Sequence, residues 1–587
     1  MIKILFELIK KKPIQIYFCL LLLALLVSCF SSFFFPPISD YWGTMFYPFH
    51  HLEESSGSIK WFHVLNIDPF EKMRYQPLSR LLYYILFLFF GSNFMVFNIA
   101  NFLLYFVSIL LLYKFSLYFV KNKMLTAVFV GFFAFLFSHF DIVLWSCHLY
   151  VIFGLIMFLL GFMSYIRFLR MSKPYLLFFV IICFLSGMWC YESFFLWPLA
   201  ILILSKIKSL RNKVEIAKKK LFLANWLILG GVYSVYCLFY LFTRSVGTYE
   251  TATYKASDFL KLPNFIISGL SVLFNTLYNT IAVNIYPLLA FPLNIRENIY
   301  MSGPVINYIR SNPKVILIEG VLIAVALFWF FFSLYRKKYF EEIKIMGLFL
   351  FLMLSELYVI FFCRIVSNSP VYCFTEFRYQ YIPNAFFILL IIYTISRFFK
   401  PNKFKQIIIY SILIPSFILN IYCVQKISSL YNNHLANLGK MIYSIRLSIS
   451  RGLINEDDKL YIDKDMPDYF HGLCWNIEMG EWFIEKGNYQ WMFSRKEIKY
   501  FAKKIEEAKL IIDKETFCVV EKTEANIRKK GVKIGLGKDE QYKQLGKFYM
   551  NKGNYKRAEG IFRRAIEIDP GNEDILEILE KNFEGIR

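Results

Sequence analysis

The chain has 587 residues, 57% of them hydrophobic and 20% aromatic, with only 19% charged. A water-soluble fold of this size could not hide that much apolar surface, so the composition excludes an ordinary soluble enzyme and points to the bilayer. The net charge of +23 would suit a nucleic-acid partner only if it formed a patch, but it is divided among short segments beside apolar runs, which excludes that class too.

In chain order, Ile14 to Phe35 is the first run long enough to cross a bilayer core of roughly 20 residues. No small-residue cleavage site follows it, so it is expected to remain as an anchor. Further spans are expected near 94–119, 124–138, 142–163, 175–190, 193–205, 221–242, 315–334, 345–366, 382–398 and 406–424. The count is about eleven, and 124–138 and 193–205 are the shortest. Residues 265–291 are also apolar, but a span there would reverse the later loops and carry Arg336, Lys337 and Lys338 outward. A re-entrant or interfacial helix pair is expected there instead.

Lys and Arg crowd 1–13, 114–123, 167–173, 206–220, 336–344 and 397–405, which hold nearly all of the net +23. The positive-inside rule makes these six segments cytoplasmic, with the N-terminus among them. Loop 36–93, the 244–314 loop, the 367–381 loop and everything after residue 425 then lie outside. Basic inner loops and Lys/Ile/Phe-rich usage fit a multi-pass protein of a bacterial inner membrane.

The chain divides near residue 425, giving a transmembrane part at 1–425, a small extracytoplasmic α/β cap at 426–535 and a helical repeat at 536–587. In the cap, "KLYIDKDMP" (459–467), "KLIIDK" (509–514) and "TFCVVEK" (516–522) alternate like short strands, and 496–509 reads as an amphipathic helix. Cys474 and Cys518 lie in this outer region, where a disulfide is chemically allowed. With Asp539 as position 1 of a 34-residue unit, Tyr542, Leu545, Gly546, Tyr549, Ala558, Phe562, Ala565 and Pro570 fall at the tetratricopeptide signature positions. Small residues there let two antiparallel helices approach and large ones fill the gap, which suggests a surface for a protein partner.

Titratable groups collect on the outer face. Loop one carries Asp40, His50, His51, Glu53, Glu54, His63, Asp68, Glu71, Arg74 and Arg80. The next outer turn carries His139 and Asp141, a later one Glu192, and "CFTEFRYQYIPN" (373–384) carries Glu376, Arg378, Tyr379 and Tyr381. Acidic groups at that depth are costly unless paired or functional. His50 and His51 with His63 and Glu53 raise a metal site, but adjacent histidines point apart and no ligand spacing fits, so no cofactor is expected and a divalent ion is only the alternative. Glycine-rich phosphate loops and Gly-x-Ser-x-Gly are absent, which argues against nucleotide use and serine hydrolysis. Glu356 and Arg364 on one span either pair with neighbours or line a substrate path.

Asp40 soon after the first span, then "RYQPLSRLLYYILFLFFGSNFMVFNIANFLLY" (74–105), "SHFDIVLWSCHLYVIFG" (138–154), "YESFFLWPLAI" (191–201) and "EFRYQYIPNAFF" (376–387), resemble in order and sidedness the GT-C superfamily of glycosyltransferases. The likeness is to protein O-mannosyltransferase-like enzymes and to the tetratricopeptide-bearing transmembrane sugar transferases, and it covers most of 14–400 through scattered short motifs. Gln76 stands where that family's aromatic-Arg-Pro-Leu motif has Arg, with Arg74 and Arg80 to either side. No Asp-x-Asp occurs in loop one, so a metal-bridged donor is not expected.

The resemblance implies a polytopic α-helical membrane protein of GT-C type, ending outside in a tetratricopeptide hairpin. It implies transfer of a sugar from a polyprenyl-phosphate carrier to a hydroxyl of a protein, lipid or glycan, with inversion. Asp40 would be the general base, with Glu53 or Glu54 orienting the acceptor or sharing that role. Arg378 would clamp the leaving phosphate, with Arg74 as a second contact or a salt-bridge partner. Tyr379 and Tyr381 would touch sugar or prenyl chain, or simply belong to an interfacial belt. Glu376, Glu192 and Asp141 complete the candidate substrate contacts. Two other classes stand beside this one: a flippase for lipid-linked sugars, and a non-catalytic scaffold using its outer repeat. The first predicts matching broken spans in two halves, and no such symmetry is visible.

Overall fold

The computed structural model describes residues 12–34, 77–90, 93–136, 139, 142–143, 148–211, 218–246, 313–365 and 381–398, together with parts of 411–583. Most of loop one, 247–312, 366–380, most of the 406–424 run, most of the expected 496–509 helix, Cys474 and Cys518 lie outside the described residues. The chain forms two compact units, one of Met1–Pro37 and Gly43–Asn433 and one of Ile38–Trp42 and His434–Arg587.

The first unit is helical. α1 (Pro13–Cys29) starts with proline in its first turn, where the missing N–H costs nothing, and passes into a 3-10 segment at Phe30–Phe34. α2 (Pro77–Phe90) precedes α3 (Phe94–Ser116), which Asn93 caps by accepting the Met95 amide. α4 (Lys123–Ala134) is capped in the same way by Asn122, which accepts the Leu125 amide at 3.0 Å. α5 (Leu149–Met171) ends on Ser172 in the left-handed conformation, the usual stop for a helix. Then come α6 (Tyr175–Cys190), a 3-10 helix at Glu192–Leu199, and the short α7 (Ala200–Leu204). α8 (Lys218–Val246), α9 (Pro313–Arg336), α10 (Phe340–Ile365) and α11 (Tyr381–Phe398) complete the unit.

Four stretches among the described residues are long and apolar enough to cross a membrane: Phe94–Ser116, Leu149–Met171, Lys219–Phe239 and Tyr381–Phe398. A 23-residue helix is about 34 Å long, against a hydrocarbon core of about 30 Å. α9 shows why water is the wrong solvent: Ile318, Leu322, Val325, Phe328, Trp329 and Phe332 all stand exposed along it. A surface of that kind is stable only against lipid or another protein. These features are those of a helical membrane protein.

α5 is the buried centre, with 83% of its most apolar window inside the unit. Its glycines set how closely its neighbours approach. A Cβ added at Gly154 would sit 2.5 Å from the Phe194 ring, and one at Gly161 would sit 2.5 Å from the Phe184 ring. Phe158 fills the layer between them, with its centroid 5.1 Å from Phe184, 5.0 Å from Phe194 and 5.1 Å from Trp197. Helices in lipid associate through such close packing, since burial of apolar surface drives nothing there.

Several expectations need adjustment. α2 lies where the sequence reading put only an outer loop (36–93). The 142–163 span is displaced, because the long helix runs Leu149–Met171. Residues 193–205 are not one helix: Pro198 falls in a 3-10 stretch, which gives way to the short α7.

In the second unit β1 (Leu460–Tyr461), β2 (Leu510–Ile512) and β3 (Val519–Glu521) form a sheet in that order. β1 pairs parallel to β2, and β2 antiparallel to β3 with Ile511 opposite Val520. The three strands fall where alternation in the sequence places them. Further on, α12 (Tyr555–Ile568) packs on α13 (Glu573–Phe583). Ala558, Phe562 and Ala565, at helical spacing, are fully buried with Ile575. Lys543 Nζ reaches Asp574 Oδ2 at 2.5 Å in the first turn of α13. That ammonium holds the Asp574 carboxyl below the usual carboxylate range.

Candidate active site

The buried polar groups of the first unit gather along one face of α3. Asn98, Asn101, Tyr105 and Ser108 recur at helical spacing, and all four are buried. In an apolar helix each must find a hydrogen-bond partner or cost free energy. Asn98 donates through Nδ2 to the carbonyls of Ser32 (3.1 Å) and Phe33 (3.2 Å). Asn101 donates to the carbonyls of Ile142 (2.7 Å) and Val143 (3.3 Å), and its own Oδ1 has no partner among the described residues.

Below them lies a ring of neutral groups around His139, which is 1% exposed. Tyr105 Oη is 3.2 Å from His139 Nδ1 and donates to the Ala134 carbonyl at 2.9 Å. Asn384 Nδ2 is 3.2 Å from His139 Nε2. With that amide donating, Nδ1 carries the ring proton and gives it to Tyr105. Ser108 donates to the Tyr105 carbonyl at 2.6 Å, so at 2.6 Å it accepts from the Tyr381 hydroxyl. The Tyr381 ring closes the cluster, 5.1 Å from His139 and 5.6 Å from Phe133. Burial in the turn between α4 and α5 pushes His139 down to about 3, so the imidazole is neutral at ordinary pH.

α10 carries another buried polar group. Glu356 of α10 is 1% exposed and accepts from Ser193 Oγ at 3.4 Å. Its Oε2, the Ser355 hydroxyl and the Trp197 indole nitrogen have no partner among the described residues.

The opposite end of the unit is ionic. Arg397 Nε donates to Glu342 Oε1 at 2.7 Å, joining α11 to the first turn of α10. Glu341 Oε1 takes Lys344 at 2.8 Å, and its Oε2 takes the Lys208 amide at 2.8 Å. Lys344 also reaches the Lys206 carbonyl, and Arg170 reaches the Leu210 carbonyl while lying 4.9 Å over the Tyr118 ring. Five of the six basic segments singled out in the sequence thus meet at one end, by residues Tyr118, Arg170, Lys206, Lys208, Lys344 and Arg397.

Of the sequence-derived candidates, Tyr381 is placed fully. It is completely buried, and its hydroxyl is engaged by Ser108, so it anchors α11 from within. Glu192 opens the 3-10 helix after Tyr191. Asp40, Glu53, Glu54, Arg74, Asp141, Glu376, Arg378 and Tyr379 lie outside the described residues. The described residues flanking several of them are informative. Phe33 precedes the Asp40 loop, His139 and Ile142 stand on either side of Asp141, and Tyr381 follows Arg378 and Tyr379 closely. All four are held by α3 or by the His139 ring. The roles of Asn98, Asn101, Tyr105 and Ser108 were missed from the sequence, although four polar residues on one stripe of an otherwise apolar helix were a legible signal.

No protein-family model matches the chain, and neither curated proteins nor solved structures include a match to it. Fold and site together describe a helical unit with four helices, among the described residues, long and apolar enough to cross a membrane, a neutral hydrogen-bonded core at one end and ion pairs at the other.

Proposed function

We propose that the chain is an integral-membrane glycosyltransferase of GT-C type. It moves a sugar from a polyprenyl-phosphate carrier to an extracytoplasmic hydroxyl of a protein, lipid or glycan, with inversion at the anomeric carbon. What supports this reading is that Phe33, Ile142, Val143 and Tyr381, which lie near Asp40, Asp141 and Arg378 in the sequence, are all held by one polar face of α3, away from the ion-paired end. Asp40 takes the proton of the attacking hydroxyl. The departing polyprenyl phosphate is already a stable anion, so it needs cationic hydrogen bonding, not a strong acid. Arg378 supplies this in a bidentate form, supported by Arg74. Glu53 or Glu54 orients the acceptor, and Glu376, Glu192, Asp141 and Tyr379 are the remaining substrate contacts. Tyr381 is carried here as an anchor, because its hydroxyl is already bonded. The spans are about eleven, with the N-terminus cytoplasmic and the C-terminal unit, ending in a tetratricopeptide hairpin for a protein partner, outside.

The test is a proteoliposome holding the purified chain and a radiolabelled polyprenyl-phosphate hexose, with membrane proteins and glycans as acceptors. Acceptor labelling that needs the chain, and product of inverted configuration, support the reading. Movement of the labelled lipid between leaflets with no acceptor labelling would replace it by the flippase.

A further inference from the structure

Three carboxyl side chains of the helical unit are among the described residues, and two of them are ion-paired, Glu341 with Lys344 and Glu342 with Arg397. Glu356 is not. It is 1% exposed and lies on α10 about 21 Å along the helical rise from Glu342. Its Oε1 accepts from the Ser193 hydroxyl across a long 3.4 Å, and its Oε2 has no hydrogen-bond partner among the described residues. Ser193 belongs to the 3-10 stretch Glu192–Leu199, where Pro198 has no N–H to give to the Phe195 carbonyl. The Tyr233 hydroxyl of α8 donates to that carbonyl instead, at 2.7 Å. The interruption is thus fixed to α8 by Tyr233 and meets α10 through Ser193 and Glu356. Trp197 of the same stretch and Ser355 next to Glu356 are buried too, and the indole N–H and the hydroxyl have no partner among the described residues.

A carboxylate buried in this way is costly unless a cation or a proton neutralises it. No described cation pairs with Glu356. Of the elements packed on α10, the short α7 has no titratable group. α11 offers Tyr381, engaged by Ser108, and Tyr393 and Arg397 toward the Glu342 end. α9 offers Tyr335 and Arg336, both exposed. The side chains of Glu192, Lys314, Glu319, Tyr358, Cys363 and Arg364 lie outside the described residues. A metal ion asks for several oxygens, yet no group of three His, Cys, Asp or Glu among the described residues could hold one, and the Trp197 indole can only donate. A proton needs one oxygen. We propose that Glu356 is a proton-binding site inside the helical unit. Its carboxyl is carried neutral, with Oε1 accepting from Ser193 and Oε2 bearing an exchangeable proton, and in that form it lets the interrupted stretch pack on α10. The proposal does not depend on the transferase reading.

Dicyclohexylcarbodiimide, which adds to protonated carboxyls in apolar surroundings, tests this on the full chain in detergent. In sodium-free buffer near pH 6, peptide mass spectrometry should find Glu356 modified about tenfold more than Glu341 or Glu342, and its modification should persist to higher pH than theirs. Equal modification of the three would overturn the proposal. Protection of Glu356 by added sodium would overturn it too, by making the occupant a metal cation. Melting gives a second measurement. Glu356→Gln keeps an acceptor for Ser193 and carries no charge. The unfolded wild type gives up the proton above the ordinary carboxylate range, while the folded chain keeps it. The wild-type melting temperature should therefore fall by several degrees relative to Glu356→Gln between pH of about 5 and about 8. Parallel curves for the two chains would contradict the proposal. The labelling needs no variant, so it decides by itself if Glu356→Gln does not fold.

Discussion

The two ends of the helical unit are fastened by different chemistry. At one end Arg397, Lys344, Glu341 and Glu342 form ion pairs, with the Arg397 side chain 54% exposed. At the other, Asn98, Asn101, Tyr105, Ser108, His139, Tyr381 and Asn384 are all buried and neutral. Ion pairs at a wet surface are nearly non-directional and screened by salt. Neutral bonds in a dry core are directional, and breaking one strands its partner. The end with fixed geometry and no net charge is thus the one suited to hold chemistry, while the charged end suits orientation in the membrane.

The comparison breaks first at His139. His139→Phe fills the space but removes both ring nitrogens, and with them the contacts to Asn384 Nδ2 and to the Tyr105 hydroxyl. Unfolding in detergent should become easier by about 1–3 kcal/mol, from the loss of two buried hydrogen bonds. pH gives the same residue a signed test. The folded His139 value lies near 3 and the unfolded one near the ordinary 6.5. The unfolded chain therefore binds the extra proton between them, so stability is fully present above about 6.5 and drains as pH falls toward 3. Thermal denaturation across that window should show the decline in the wild type and a weaker one in His139→Gln.

The packed middle stands between the two ends. Gly161→Leu places a side chain where even a Cβ meets the Phe184 ring, and overpacking of that kind costs about 1–3 kcal/mol or more. Loss of the α5–α6 contact would show as early proteolysis within α6.

That helix pair also shows how much was legible in the sequence. α3, α6, α9, α10 and α11 fall within a few residues of the expected spans, because long apolar runs between basic segments have few alternatives in lipid. α2 was hidden, because its fourteen residues are too short for a span and its sequence had been read as a loop-one motif. The break at Glu192–Leu199 was signalled by Pro198, yet a hydropathy window averages over it. The site was legible by residue type and not by partner. An asparagine in an apolar helix announces that it needs an acceptor, but only the fold reveals that the acceptors are carbonyls of residues 32–33 and 142–143. Tyr381 illustrates the reverse: its place in an aromatic, arginine-bearing motif suggested a substrate contact, and packing uses it as an anchor.

The ionic end should be far more forgiving. Lys344→Ala, in a pair whose two side chains are each about a third exposed, is expected to cost about 1 kcal/mol or less, and the difference should shrink in high salt. Equal losses at His139 and Lys344 would dissolve the contrast between the ends. The smallest effect belongs to the second unit. Lys543→Ala should let the Asp574 carboxyl rise back toward its ordinary value, visible by NMR titration, with the α12–α13 pair still folded on its Ala558, Phe562, Ala565 and Ile575 core. Since Lys543 holds that carboxyl low, the stabilisation is present at neutral pH and is lost as pH falls through the lowered value.

The most direct test puts both ends into one assay. Single-turnover sugar transfer from a polyprenyl-phosphate donor is measured for the wild type, Asp40→Asn and Arg397→Ala in proteoliposomes of the same composition. The account predicts that Asp40→Asn loses about a hundredfold or more, the worth of a general base, while Arg397→Ala, at the opposite end of the unit from the proposed chemistry, keeps its transfer rate within about twofold once folded. Full transfer by Asp40→Asn, or a larger loss in Arg397→Ala than in Asp40→Asn, would contradict it.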